Sequence, residues 1–205
     1  MSEHCCPAPA PSADPRYRRI LWIALAVNAA MFLVELVASA TSGSAALAAD
    51  AVDFAGDAGN YGLSLAAIAA GGLWSSRAAL VKGVAMGAYG IGVLAFCAWR
   101  IHVGMPPEAL TMGVIGTLAL TANLWVAWLL YAYREGDANM RSVWLCTRND
   151  ALSNLAVLAA ALGVFGTGAF WPDVAVAALM ASLALYSAAS VILHARSELR
   201  PQRVP

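Results

Sequence analysis

Charge is what this chain has least of. Only 12% of its 205 residues are Asp, Glu, Lys or Arg, whereas 61% are apolar, and that balance excludes a water-soluble domain with an ordinary polar surface. Residues 1–15 hold no apolar run, so no cleaved secretory signal is expected there. The four cysteines give no disulfide framework: Cys5 and Cys6 are adjacent in a polar stretch, and Cys97 and Cys146 fall in apolar segments. The formal net charge is zero, and no nucleic-acid partner is expected. What remains is a polytopic membrane protein.

Long apolar runs are plentiful. Six are expected to form helices, at about 20–40, 45–70, 84–99, 110–133, 142–166 and 174–194, each able to cross, or nearly cross, a hydrocarbon core about 30 Å thick. The expected fold class is therefore all-α, a six-helix transmembrane bundle. Residues 1–18 are read as a flexible cytosolic tail, 19–195 as the membrane domain and 196–205 as a short second tail. The third helix is rich in Gly and should pack closely against a neighbour. Ten of the twelve Lys and Arg lie in the tails and in the second-to-third and fourth-to-fifth loops; Arg100 alone lies on the opposite side, and Arg148 falls inside a helix. The positive-inside rule then puts both termini in the cytoplasm.

The few acidic residues are concentrated where they cost most. Asp50, Asp53, Asp57 and Asn60 fall within roughly 80° of arc on the second helix, as one polar stripe on an otherwise apolar rod. Each Asp near a helix centre opposes insertion by about 2.5 to 3.5 kcal/mol, so the stripe needs compensation. The fifth helix carries a second stripe, Cys146, Asp150 and Asn154, at four-residue steps. The two stripes are expected to face each other and to hold a divalent metal ion. With the helices running in opposite directions, Asp57 and Asp150 come level within about one turn, which leaves open whether Cys146 or Asn154 is the fourth partner.

Two segments carry a family resemblance. Asn28-Ala-Ala-Met-Phe-Leu-Val-Glu-Leu36 followed by Ser42-Gly-Ser-Ala-Ala-Leu-Ala-Ala-Asp-Ala-Val-Asp-Phe-Ala-Gly-Asp57 resembles the first two helices of the cation diffusion facilitator family, exporters of zinc and related divalent cations coupled to proton entry. Trp171-Pro172-Asp173 is similar to that family's entry to its sixth helix. The resemblance implies a ligand pair on the second helix, Asp53 and Asp57, and another on the fifth, Cys146 and Asp150, where Cys146 stands in place of the usual His or Asp. Asp50 matches a recurring Asp that is not usually a ligand. Family members usually continue past the sixth helix into a cytosolic domain. This chain stops about ten residues after it, so a short form is expected.

Three carboxylates and a thiolate make a tetrahedral site suited to Zn2+ or Cd2+, with Co2+, Ni2+, Fe2+ and Mn2+ as further candidates. Four negative charges at low dielectric are untenable alone, so metal and protons should compete for the site. No prosthetic group and no covalent chemistry are required. Asn60, Asn154, Asp50 and Glu35 are read as outer partners or a proton relay, and Arg148 as a side chain reaching for the inner face. His4, Cys5 and Cys6 form a weak capture site for soft cations. Expected partners are the metal, protons and the lipid bilayer, with room for a homodimer through Gly-rich faces. A proton channel or small-solute permease would also suit polar stripes. An intramembrane aspartyl protease needs only two Asp and leaves the others without a role.

Overall fold

The computed structural model describes residues 14–70, 72–135 and 138–199. Every regular element among them is helical: α1 (Pro15–Ser42), α2 (Ala45–Ala70), α3 (Gly72–Val103), α4 (Ala109–Leu130), α5 (Ala138–Thr167) and α6 (Trp171–Leu199), with a 3₁₀ turn at Tyr131–Tyr133 prolonging α4. Residues 1–13, which include His4, Cys5 and Cys6, lie outside the described residues.

Local chemistry accounts for the helix ends. Asp14 accepts a hydrogen bond from the Arg16 amide at 2.9 Å, and Pro15 occupies the first turn, where its missing N–H costs nothing. At the other end of α1, Gly43 adopts φ 72° and its amide donates to the Ser39 carbonyl at 2.9 Å, a left-handed cap that favours Gly. The Glu108 amide donates to the Ser42 carbonyl at 3.1 Å, tying the chain ahead of α4 to the end of α1.

Several helices outrun the apolar spans that announced them. α3 starts at Gly72 rather than near 84, so Arg77 and Lys82 lie within the helix instead of in a loop, and α5 starts at Ala138, which takes in Arg141. Trp171, Pro172 and Asp173 form the first turn of α6 rather than a separate turn. The physical reason is that hydropathy marks where the membrane ends. A helix without an internal Pro or a cap signal continues into water, where Arg and Lys are good helix formers.

Among the described residues five segments are long and apolar enough to cross a membrane: Pro15–Ser42, Gly83–Val103, Ala109–Tyr133, Asp150–Thr167 and Trp171–Leu193. α2, which carries the aspartates, does not meet that standard, and its surroundings explain how it is accommodated. It packs against α1, α3, α5 and α6. Among the described residues none of its large apolar side chains is exposed, whereas Leu33, Ile91, Trp128, Phe165 and Leu183 on the other helices face outward. A helix with a polar stripe is thus shielded from lipid by helices without one.

Gly83, Gly87 and Gly90 of α3 let α6 approach closely. A Cβ at Gly83 would lie 2.8 Å from Ile192 Cγ1, and one at Gly90 would lie 3.1 Å from Leu185 Cγ. The close packing expected of the Gly-rich helix is therefore made within the chain.

Two apolar clusters lie toward opposite ends of the bundle. One joins Tyr17, Leu21, Ala24, Tyr61, Val126 and Leu130. The other, larger one is built on the first turns of α2, Ala45–Ala49 and Val52, with Val93, Met112, Val157, Val164 and Ala177. The acidic residues of α2 fall between them.

Candidate metal site

Two side-chain bonds fix α2 against α5. Near the start of α2, Asn154 Nδ2 donates to both carboxylate oxygens of Asp50, at 2.8 and 2.7 Å. Further along, the hydroxyls of Tyr61 and Thr147 share a hydrogen bond of 2.6 Å. The low number on α2 meets the high number on α5 and the reverse, so the helices run antiparallel. Asp53 and Asp57 lie between the two bonds on one helix and Asp150 between them on the other. Asp57 is linked to this second bond, since Tyr61 OH donates to its Oδ2 at 3.4 Å. Tyr61 follows Asp57 by four residues and Thr147 precedes Asp150 by three, so each sits on the face of its helix that bears the carboxylate. Asp57 is buried, and Asp53 and Asp150 are partly buried.

Asn154 is held by a second amide. Asn123 Nδ2 on α4 donates to Asn154 Oδ1 at 2.9 Å, which leaves the Asn154 NH₂ to point at Asp50. Glu35, on α1, is fully buried beside Asp50 and within electrostatic reach of Asp53. Asn28, two turns before Glu35 on the same face, bonds the Ala24 carbonyl of its own helix at 2.8 Å. Asn60 is half-buried at the far end of the stripe. Arg148 is exposed, its guanidinium 5.4 Å from the Trp144 ring centroid, as a side chain reaching for an interface does.

Asp50 and Asn154 of the two stripes are thus joined, and the turns that carry Asp57 and Asp150 are tied to each other through Tyr61 and Thr147. The backbone of Cys146 is part of α5, while its side chain lies outside the described residues. Among the described residues no three His, Cys, Asp or Glu side chains gather closely enough to hold a metal ion. Asp57 instead uses an oxygen on Tyr61.

Sequence reasoning missed Asp173. Ser44 Oγ donates to Asp173 Oδ1 at 2.6 Å, and the amides of Ala45 and Ala46 donate to its two oxygens at 2.8 and 3.0 Å. Ser44 itself caps α2, accepting from the Leu47 amide at 3.1 Å. The first turn of α2 is therefore capped by a carboxylate from α6, which satisfies amides that the helix leaves unpaired. A signal was present: Ser44 opens an apolar helix with Leu47, not Glu or Gln, at the third position, so its capping box lacks the acidic partner. Tyr61, Thr147 and Asn123 were also missed, each being an ordinary residue until its partner helix is known.

Known proteins share this arrangement of sequence. Residues 21–200 match the family model of the cation efflux transmembrane domain. The chain belongs to that family, the cation diffusion facilitators. Among cation efflux proteins it is 29% identical over 199 residues to the zinc transporter ZitB of Escherichia coli (strain K12), an alignment covering 91% of this chain and 63% of ZitB. It is 26% identical over 174 residues to the metal cation efflux system protein CzcD of Cupriavidus metallidurans, covering 79% of this chain and 55% of CzcD. The chain thus spans less than two thirds of the length of either relative. With five membrane-crossing segments, this cation efflux domain is an integral membrane protein.

Proposed function

We propose that the chain exports a divalent transition-metal cation, Zn2+ or Cd2+ foremost, from the cytoplasm across a bacterial inner membrane in exchange for protons. Asp53, Asp57 and Asp150 are the carboxylate ligands and Cys146 the fourth. The observation that carries this reading is the pair of α2–α5 bonds, Asp50 with Asn154 and Tyr61 with Thr147, because the three aspartates lie between them. Membership of the cation efflux family and the printed functions of ZitB and CzcD support a metal as cargo.

The chemistry follows from placement. Carboxylates fixed between two apolar clusters are poorly solvated, and a dication that replaces their protons is bound by charge as well as by coordination. Release needs the reverse exchange from the other side, and the bundle supplies two faces that can alternate, one at each apolar cluster. With both termini cytoplasmic, the Tyr61 cluster faces the cytoplasm and the cluster at the start of α2 faces outward.

Calorimetric titration of the purified protein with Zn2+, Cd2+, Co2+, Ni2+ and Mn2+ tests the assignment, alongside single Ala variants at Asp53, Asp57, Cys146 and Asp150. Binding of Zn2+ and Cd2+ that each variant weakens by at least tenfold is the expected result. Binding that is equal in wild type and in all four variants would remove these residues from the site.

A further inference from the structure

Glu35 is the least satisfied group in the bundle. It is 0% exposed, and neither of its carboxylate oxygens has a hydrogen-bond partner among the described residues. A second acid, Asp50, also 0% exposed, stands beside it.

The donors near this pair can be traced to their end. Asn123 donates to Asn154, and Asn154 donates to both oxygens of Asp50. There the supply stops, because Asn154 has given its NH₂ to Asp50. The other groups near Glu35 give it nothing: Asp53 on α2 is acidic, and Tyr89 on α3 makes no hydrogen bond to it. Among the described residues no Lys or Arg forms an ion pair with either acid; the salt bridge found there joins Arg134 to Glu135.

Two facing carboxylates out of water cannot both carry charge unless a positive charge joins them. One unit of charge suffices, because two acids that share a proton form a single anion with an internal hydrogen bond. The donors are all oxygens, a hard set without thiol or imidazole, which suits a proton or a small alkali cation better than a soft transition metal. Asp50 lies one turn before Asp53, so the pair sits on the α2 N-terminal side of the aspartate stripe.

We propose that Glu35 and Asp50 form a second cation site, separate from the metal ligands, that holds one monovalent counter-ion, H+ or Na+. The inference extends the exchange reading, on which its coupling role rests: a dication arriving at Asp53 repels the positive charge one turn away, and the counter-ion leaves as the metal enters. The Asn123–Asn154 pair positions Asp50 for this site.

The site is tested first without metal. Infrared spectra of purified wild type, Glu35→Gln and Asp50→Asn are recorded in Na+-free and Na+-containing media, with gel filtration to confirm folding. For a proton site, wild type shows the C=O band of a protonated buried carboxyl in both media. For a Na+ site, the band is present only without Na+. Glu35→Gln, which leaves Asp50 charged under the Asn154 amide, loses the pair's share of that band, and Asp50→Asn shifts it because Glu35 then has no second carboxylate to share with; the share from Asp53, Asp57 and Asp150 is common to all three proteins. A band and a Na+ response identical in all three proteins would overturn the proposal.

The second arm counts ions released on Zn2+ titration, using two buffers of different ionisation enthalpy and either NaCl or choline chloride. Glu35→Gln is expected still to bind Zn2+ but to release one proton fewer, with a correspondingly shallower pH dependence of affinity, or to lose the competition by Na+. Unchanged release in that variant would overturn the coupling. A wild type that shows the band but binds no divalent ion removes the metal reading and leaves the cation site standing.

Discussion

The hydroxyls of Tyr61 and Thr147, 2.6 Å apart, join the turn of α2 that follows Asp57 to the turn of α5 that precedes Asp150. Tyr61→Phe keeps the ring in its apolar cluster and removes only the link. Stability is expected to fall by about 1 kcal/mol, the ordinary worth of one buried hydrogen bond, read as a lowered melting temperature in detergent. Asp57 also loses its tie to α5, so the KM for metal is expected to rise by about three- to tenfold. An unchanged KM would mean that the bond has no part in placing the carboxylate.

Asp173 is expected to matter to α2 as much as to α6. Asp173→Ala leaves the Ser44 hydroxyl and the Ala45 and Ala46 amides without their acceptor in a buried place. The predicted loss is about 2 to 3 kcal/mol, and Asp173→Asn, which keeps one acceptor oxygen, should lose about half of it. Thermal unfolding of both variants checks this. Equal stability of wild type and Asp173→Ala would contradict the capping role.

The glycines of α3 are not interchangeable with those elsewhere. A Cβ at Gly83 meets Ile192, Val191 and the Ala188 carbonyl oxygen within 3.4 Å, whereas one at Gly113 on α4 meets nothing within 4 Å. Gly83→Ala is therefore expected to destabilise the protein by about 1 to 3 kcal/mol through overpacking. Gly113→Ala should be neutral or slightly stabilising. Because α6 occupies the Gly83 face, neither substitution is expected to alter the oligomeric state in sedimentation experiments.

Much of this architecture could be read from the chain. The spans of α1, α2 and α4 follow directly from apolar runs, and helical spacing put Asp50, Asp53, Asp57 and Asn60 on one stripe and Cys146, Asp150 and Asn154 on another. The level match of Asp57 with Asp150 follows from helix rise and opposite direction, and the two α2–α5 bonds agree with it. What could not be read depends on partners remote in sequence. Asp173 caps a helix that begins 128 residues earlier; the incomplete capping box at Ser44 shows that an acceptor is wanted but not which residue supplies it. Asn154 was read as a donor to carboxylates or as a candidate fourth partner; which carboxylate it serves, Asp50, depends on Asn123 of a third helix, which fixes the way its amide points. The long starts of α3 and α5 were missed because hydropathy reports the membrane edge while helix propensity continues past it.

The Cys146 position sets metal preference in this account. Thiolate favours Cd2+ over Zn2+ relative to imidazole, so Cys146→His is expected to keep zinc transport and to lower cadmium transport several-fold. Parallel uptake assays with the two metals in everted vesicles give the ratio. An unchanged ratio would place the sulfur outside the coordination shell.

The central claim is that acids on α2 and α5 carry the cargo. Metal flux in proteoliposomes reconstituted with wild type or Asp57→Ala, matched for inserted and folded protein, tests it most directly. The account predicts Zn2+ or Cd2+ flux driven by a proton gradient in wild type and background flux in the variant. Wild-type flux in Asp57→Ala would contradict it.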